Sequence, residues 1–268
     1  MSNLQSFGRR MLWMRRIPGF RFWNRLRFRR EHAALARELF GIRFRHPVGL
    51  APVLERQAEL LDEIDALGFS FTGIIPGDTP LQDIAERLQD RKSPIVTALE
   101  LRPDGESEKA AQQSMIRQFS LLYDFADFFI IDINRKSGLS SLDDFSDWTD
   151  LLDELLSLRL YYERYKPILL RISPGHTEEE MKRILEFCLL SSFDGVVAPG
   201  VAKVRFCAEY TQRRLPVIGS GAVTTPEDAV ALLQAGASLI EIAQGIPNRG
   251  RQTAKRLLKA LDQPIPTP

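Results

Sequence analysis

LPVIGSGAVTTPEDAVALLQAGASLIEIAQG, residues 215–245, decides the fold. An apolar run at 215–222 ends in Gly-Ser-Gly-Ala. Thr225, Pro226 and Asp228 then mark a helix start: a hydroxyl to cap the first turn, a proline where a missing N–H costs nothing, and a carboxylate three residues past the cap. Gly236 stands where that helix should stop. A second apolar run follows at 239–245. Both runs are apolar nearly throughout instead of alternating, as strands covered on both faces are. Strand, helix, strand with both strands buried is a unit of parallel sheet.

The same unit recurs along the chain. Further candidate strands are PVGLAP (47–52), FSFTGII (69–75), PIVTALEL (94–101), DFFIIDI (127–133), PILLRIS (167–173) and DGVVAPG (194–200). Helical patterns separate them. Thr79 before Pro80 reads as an N-cap, Thr177 with Glu180 as a capping box, and Gly68 as a helix stop. Eight such units predict a (β/α)8 TIM barrel over residues 39–268, preceded by a basic, aromatic, helical arm at 1–38. Helices within 31–40 are expected to plug the barrel's base. Function in this fold sits at the C-terminal ends of the strands.

Composition narrows the function classes. Cys188 and Cys207 lie far apart with no CxxC, and His32, His46 and His176 form no ligand pattern, so free thiols in a reducing compartment and no metal site are expected. Residues 9–30, RRMLWMRRIPGFRFWNRLRFRR, carry nine arginines and no acid, leaving 27 basic against 35 acidic residues elsewhere, a net of −8. Arginine interleaved with Trp13, Phe20, Phe22, Trp23 and Phe28 suits an anionic membrane surface, a protein partner or, less well, nucleic acid. It also resembles an organelle transit sequence, and the arm could instead pack on the acidic body of the chain. No apolar run is long enough to span a bilayer. The expected location is cytoplasmic, at the inner face of a membrane where the arm engages it.

Two regions carry candidate chemistry. The loops after the seventh and eighth strands commonly bind phosphate in such barrels. Here Gly219, Ser220, Gly221 and Ala222 are small enough for backbone N–H groups to approach an anion, with Gln244 and Gly245 completing the nest; tight turns needing small residues are the other reading. After the fourth strand stand Asn134, Arg135 and Lys136. Four ionisable residues, Glu100, Asp132, Arg171 and Glu241, lie within otherwise apolar strands. A buried charge needs a partner, so Asp132 is expected to pair with Arg171 on the neighbouring strand, leaving Arg135 and Lys136 to Glu100 or to an outside anion.

LFGIRFRHPVGLAP (39–52), DALGFSFTG (65–73), YDFADFFIIDI (123–133), PILLRISP (167–174), FDGVVA (193–198) and residues 215–245 together resemble the quinone-linked dihydroorotate dehydrogenases. The resemblance implies a TIM barrel with FMN at its mouth, oxidising dihydroorotate to orotate in pyrimidine synthesis, and an N-terminal segment that associates with membrane. It implies flavin contacts for Ala51, Arg171, Gly219, Ser220, Gly221, Ala222, Gln244 and Gly245. The chemistry departs from the pattern. The family's strand-four motif, Asn-x-Ser-Ser-Pro-Asn, reads DINRKS here: Asp132 replaces the first Asn, Arg135 the serine base, Lys136 the proline and Ser137 the last Asn. Arginine cannot release its proton to act as a base, so no catalytic residue is assigned. Arg171 replaces the flavin-facing lysine, Ala98 and Gly200 replace asparagines, and Arg56 and Gln57 replace the Lys-Asn pair after strand one. Each lost buried hydrogen bond costs about 1–3 kcal/mol. The resemblance therefore implies an FMN-linked oxidoreductase fold with impaired turnover of dihydroorotate, or a non-catalytic barrel that binds an anion or a partner.

Overall fold

The computed structural model describes residues 33–52, 57–104, 107–133, 145–244 and 250–261. Eight parallel strands close into a barrel: β3 (Val48–Leu50), β4 (Phe71–Ile74), β5 (Val96–Leu101), β6 (Phe128–Asp132), β7 (Ile168–Arg171), β8 (Gly195–Pro199), β9 (Val217–Ala222) and β10 (Leu239–Gln244), which pairs back onto β3. Each lies within a stretch the apolar pattern predicts. The helices that follow them are α1 (Leu61–Ala66), α2 (Leu81–Gln89), α3 (Glu108–Leu122), α4 (Phe145–Tyr161), α5 (Glu178–Leu190), α6 (Gly200–Tyr210), α7 (Pro226–Gln234) and α8 (Gly250–Leu261).

The start signals act largely as read. Thr225 and Asp228 form a full capping box on α7, and Thr177 and Glu180 form another on α5. At α2 the cap differs. Pro80, with ψ of 133°, occupies the N-cap position, and no side chain caps the helix; Thr79 instead donates its N–H to the Pro76 carbonyl in a turn. Gly68 and Gly236 take φ of +97° and +109° just past α1 and α7, a conformation that side chains disfavour.

Strand alternation sorts the core. One face of each strand meets the helices in a large apolar cluster. The other points into the lumen, whose lower part is filled by residues such as Phe44, Phe71, Phe128, Ile130, Leu169 and Val197. The plug at the base is a β-hairpin and not the expected helices. β1 (Arg37–Leu39) and β2 (Ile42–Phe44) pair antiparallel about Phe40-Gly41, both at positive φ. This two-residue turn matches strand twist. It sends Phe44 into the lumen, edge-on to Phe71 at 5.6 Å, and sets Phe40 6.4 Å from Phe128. The boundary expected at residue 38 falls within β1. Of the arm expected at 1–38, residues 1–32 lie outside the described residues.

Two aspartates repeat one device at the N-terminal rim. Asp127 precedes β6 and accepts the N–H of Thr97 on the neighbouring strand, while Arg91 bridges to it at 3.2 Å. Asp194 precedes β8, accepts the N–H of Ile168 and holds Arg159 at 2.9 Å. Each ties adjacent strands where their ladder begins, so this end is built for closure and leaves the opposite end for a site.

Candidate functional site

The upper lumen changes chemistry abruptly. Above Ala98 on β5 comes Glu100, above Ile130 on β6 comes Asp132, above Leu169 on β7 comes Arg171, and above Leu239 on β10 comes Glu241. Side chains two apart on a strand share a face, so all four enter the lumen. Glu100 and Glu241 are fully buried and Asp132 is 8% exposed.

Arg171 binds two of these carboxylates. Its Nη1 donates to Glu241 Oε2 at 3.0 Å, and its Nη2 donates to Glu241 Oε1 at 3.2 Å and to Glu100 Oε2 at 2.5 Å. Glu100 also accepts from Arg102 Nη2 at 2.7 Å. Burial works against the charge on Arg171, but the carboxylates of Glu241 and Glu100 outweigh it and raise its pKa, with Asp132 adding a smaller pull. Gly73 makes room for this arrangement: a Cβ there would sit 3.3 Å from Glu241 Oε1 and 2.7 Å from Pro52.

The expected pairing is thereby corrected. Asp132 and Arg171 are register partners across β6 and β7, yet the guanidinium bonds to Glu100 and Glu241, while Asp132 Oδ2 lies 3.4 Å from Arg102 Nε. A planar fork with several N–H donors can bind two carboxylates at once, and here it takes Glu100 and Glu241. Arg102 was not singled out in the sequence, although its parity with Glu100 places it on the same face.

The expected phosphate cradle is only partly assembled. Gly219 faces the helices: a Cβ there would meet Ala237 and Leu232 at 3.2 Å and Val204 at 3.3 Å. Its small size serves packing. Ser220 shares the inward face and is in register with Glu241. At Gly221 an added Cβ would meet only the Gly200 nitrogen, in ordinary contact at 3.8 Å. Ala222 is exposed and pairs with Gln244 at the end of β10. Ala51, buried at the end of β3, donates its N–H to the Ile242 carbonyl. Arg56, Asn134, Arg135, Lys136, Ser137 and Gly245, with the side chains of Gln57 and Gln244, lie outside what is described. Cys188 and Cys207 are free, fully buried thiols, raised in pKa chiefly by burial. Among the described residues no cluster of His, Cys, Asp or Glu could hold a metal ion, and no helix is long and apolar enough to cross a membrane.

A family model for dihydroorotate dehydrogenase matches residues 194–265, which span β8 to α8. Over longer stretches, a dihydroorotate dehydrogenase (quinone) from Christiangramia forsetii is 26% identical, aligned over 93% of this chain and 90% of its own. Another, from Trichormus variabilis, is 26% identical over 86% and 79%. Over most of its length the chain is similar to these quinone-type dihydroorotate dehydrogenases. A crystal structure of DHODH from Eimeria tenella in complex with ferulenol superposes with a TM-score of 0.75 at 18% identity, covering 87% of this chain and 84% of that one. This superposition shows the shared barrel.

Chemically, the guanidinium at the centre of the cluster holds charge. A guanidinium bound to two carboxylates is a poor acid and no base. Dihydroorotate-dehydrogenase-like in scaffold, the barrel presents at this layer a set of internal ion pairs.

Proposed function

We propose that this chain is a non-catalytic barrel of the dihydroorotate dehydrogenase type, closed at its mouth by Glu100, Arg171 and Glu241, and that it serves as a binding or assembly subunit without oxidising dihydroorotate. The observation that carries this reading is the engagement of Arg171: both of its terminal nitrogens are bonded to buried carboxylates. Arg135 at the position of the family's serine base supports it from the sequence.

FMN, which the resemblance implies, is a poor fit to the described residues. A flavin ring presents carbonyl oxygens and ring nitrogens that need hydrogen-bond donors. Beside Ser220, the buried inner face offers Glu100 and Glu241, which are acceptors when ionised, and Arg171, which lies between them, is bonded to both. Gly219, expected to cradle phosphate, is occupied in packing against α6 and α7.

The test is flavin content. The purified full chain is incubated with FMN, separated from free flavin, denatured and read for released flavin; a parallel sample receives dihydroorotate and a quinone analogue. A colourless protein that makes no orotate is the expected result. Stoichiometric flavin together with orotate formation would overturn the reading. A yellow protein inert to dihydroorotate would favour an FMN-linked oxidoreductase acting on another substrate. That second reading draws support from Arg171, a cation where the resemblance puts the flavin-facing lysine, and from Ser220 and Gly221 at the end of β9.

A further inference from the structure

Among the described residues, the large apolar side chains left exposed are Leu121, Leu160, Tyr161, Tyr165 and Leu190. They are not scattered. Leu121 lies at the exit of α3, Leu160 and Tyr161 end α4, Tyr165 follows it, and Leu190 ends α5. These three consecutive helices exit at the rim where Asp194 ties β8 to β7, opposite the mouth. Hydrogen bonds draw the exits together: the Tyr162 hydroxyl donates to the Ser120 carbonyl at 3.4 Å, and Arg159 Nη2 donates to the Ser192 carbonyl at 2.7 Å. Leu160, Tyr161 and Leu190 are 84%, 85% and 89% exposed. Apolar surface gathered in this way marks an interaction site, as single scattered residues do not. The rings are also held in place. Tyr161 packs edge-on against Tyr162 at 6.0 Å, and Tyr162 stacks on buried Tyr123 at 3.9 Å. Tyr165 lies under the Arg159 guanidinium at 4.7 Å, with its hydroxyl bonded to Asp194.

We propose that this patch pairs two copies of the chain about a two-fold axis through the exit of α4. Charge complementarity selects a second copy as the occupant. Glu163 and Arg164 stand side by side between Tyr161 and Tyr165, both exposed, and neither side chain is paired with another described residue. A two-fold contact sets residue i against j and j against i, so Glu163 of each copy meets Arg164 of the other and both charges are answered at once. An anionic membrane would attract the arginine and repel the glutamate. The area is of the right size. A covered tyrosine buries about 150–250 Å², so Tyr161 and Tyr165 with Leu160 and Leu190 go most of the way to the roughly 800 Å² per partner of a standard interface. Rings already held in place have little freedom left to lose on association. Pairing at this rim does not depend on what the mouth binds at the opposite end.

The test is sedimentation equilibrium of the full chain over a range of concentrations. The parent should pass from 30.5 kDa to twice that mass as concentration rises. Leu160→Ser/Tyr161→Ser removes the centre of the patch at two exposed positions and should weaken the dimer about tenfold or more. Glu163→Arg and Arg164→Glu each set like charges across the axis and should weaken it as well. The two together restore opposite charges and should return the parent's association; this swap keeps the test decisive if the apolar variant loses its fold. A parent that stays at 30.5 kDa at every concentration would overturn the proposal. So would a dimer that the apolar variant leaves unchanged, or a double swap no tighter than either single. Vesicle flotation of a monomeric parent, lost in the apolar variant, would assign the patch to membrane instead.

Discussion

Replacing Arg171 by methionine keeps the apolar stem and removes the charge. In the parent, Glu241 is fully buried and takes both oxygens to Arg171, at 3.0 and 3.2 Å. Glu100, equally buried, loses the shorter of its two guanidinium contacts and keeps Arg102, whose side chain is 49% exposed. Removing one partner of a buried pair costs about 3–5 kcal/mol, because the other charge stays behind. Against a typical domain stability of about 5–15 kcal/mol, that is a large fraction. Urea denaturation followed by circular dichroism should therefore show a much lower midpoint for Arg171→Met. Adding Glu241→Leu should restore most of the loss, since exchanging a whole buried pair for apolar residues is often neutral or stabilising. The two single variants and the double form a cycle whose coupling isolates the pair. A loss below about 1 kcal/mol for Arg171→Met, or a double variant no better than the single, would refute the cluster as a buried, paired charge.

Two other predictions concern titratable groups away from the mouth. Burial holds Cys188 above the usual thiol range and pushes Cys207 up to about 12, so neither should react with iodoacetamide at neutral pH until denaturant unfolds the chain; labelling of the native protein counted by mass would contradict this. Tyr165 is 58% exposed, but partial desolvation of its hydroxyl and then its hydrogen bond to Asp194 push it up to about 12. A folded pKa above the unfolded value of about 10 gives stability that is complete below pH 10 and lost as pH rises toward 12. The parent should lose urea midpoint across that window faster than Tyr165→Phe, and parallel curves would refute the assignment.

How much of this was legible in the sequence follows from where the determinants lie. Barrel strands are specified locally: a short β-branched run covered on both faces looks the same wherever the chain carries it, so all eight were readable. Thr177 and Thr225 were readable for the same reason, because capping is a contact between residues three apart. Thr79 was misleading, since Pro80 itself holds the extended conformation that a cap requires. The hairpin at the base escaped because Phe40-Gly41 lacks the Asn-Gly or Asp-Gly signal of its turn. The four charged residues at the mouth stand out in the sequence, but their partners do not. Arg171 chooses between Asp132 on its neighbour and carboxylates across the lumen. That choice depends on the barrel's diameter and on the space left by Gly73, and neither is written in adjacent residues. Gly219 shows the converse error, a small residue whose reason lies behind the strand and not in front of it.

The contrast between the two halves of the lumen bears on why charges stand at the mouth. The lower half is filled by phenylalanine, isoleucine, leucine and valine around Phe44 and Phe128, which shows that this barrel can be packed with apolar side chains. Stability alone would extend that packing upward, because a buried ion cluster seldom outperforms well-packed apolar residues. The charged layer instead coincides with the level at which the strands surface. There Arg102 is half exposed, whereas Arg171 retains 16% of its side-chain surface, so desolvation is eased chiefly on the Arg102 side. Beneath them, Glu100 and Glu241 have no such outlet and depend on the arginines above. Glu100 and Glu241 are the deepest members of the cluster, while Arg102 is the most exposed and Asp132 and Arg171 lie between. Drawing Arg171 outward would leave Glu100 and Glu241 buried without its guanidinium.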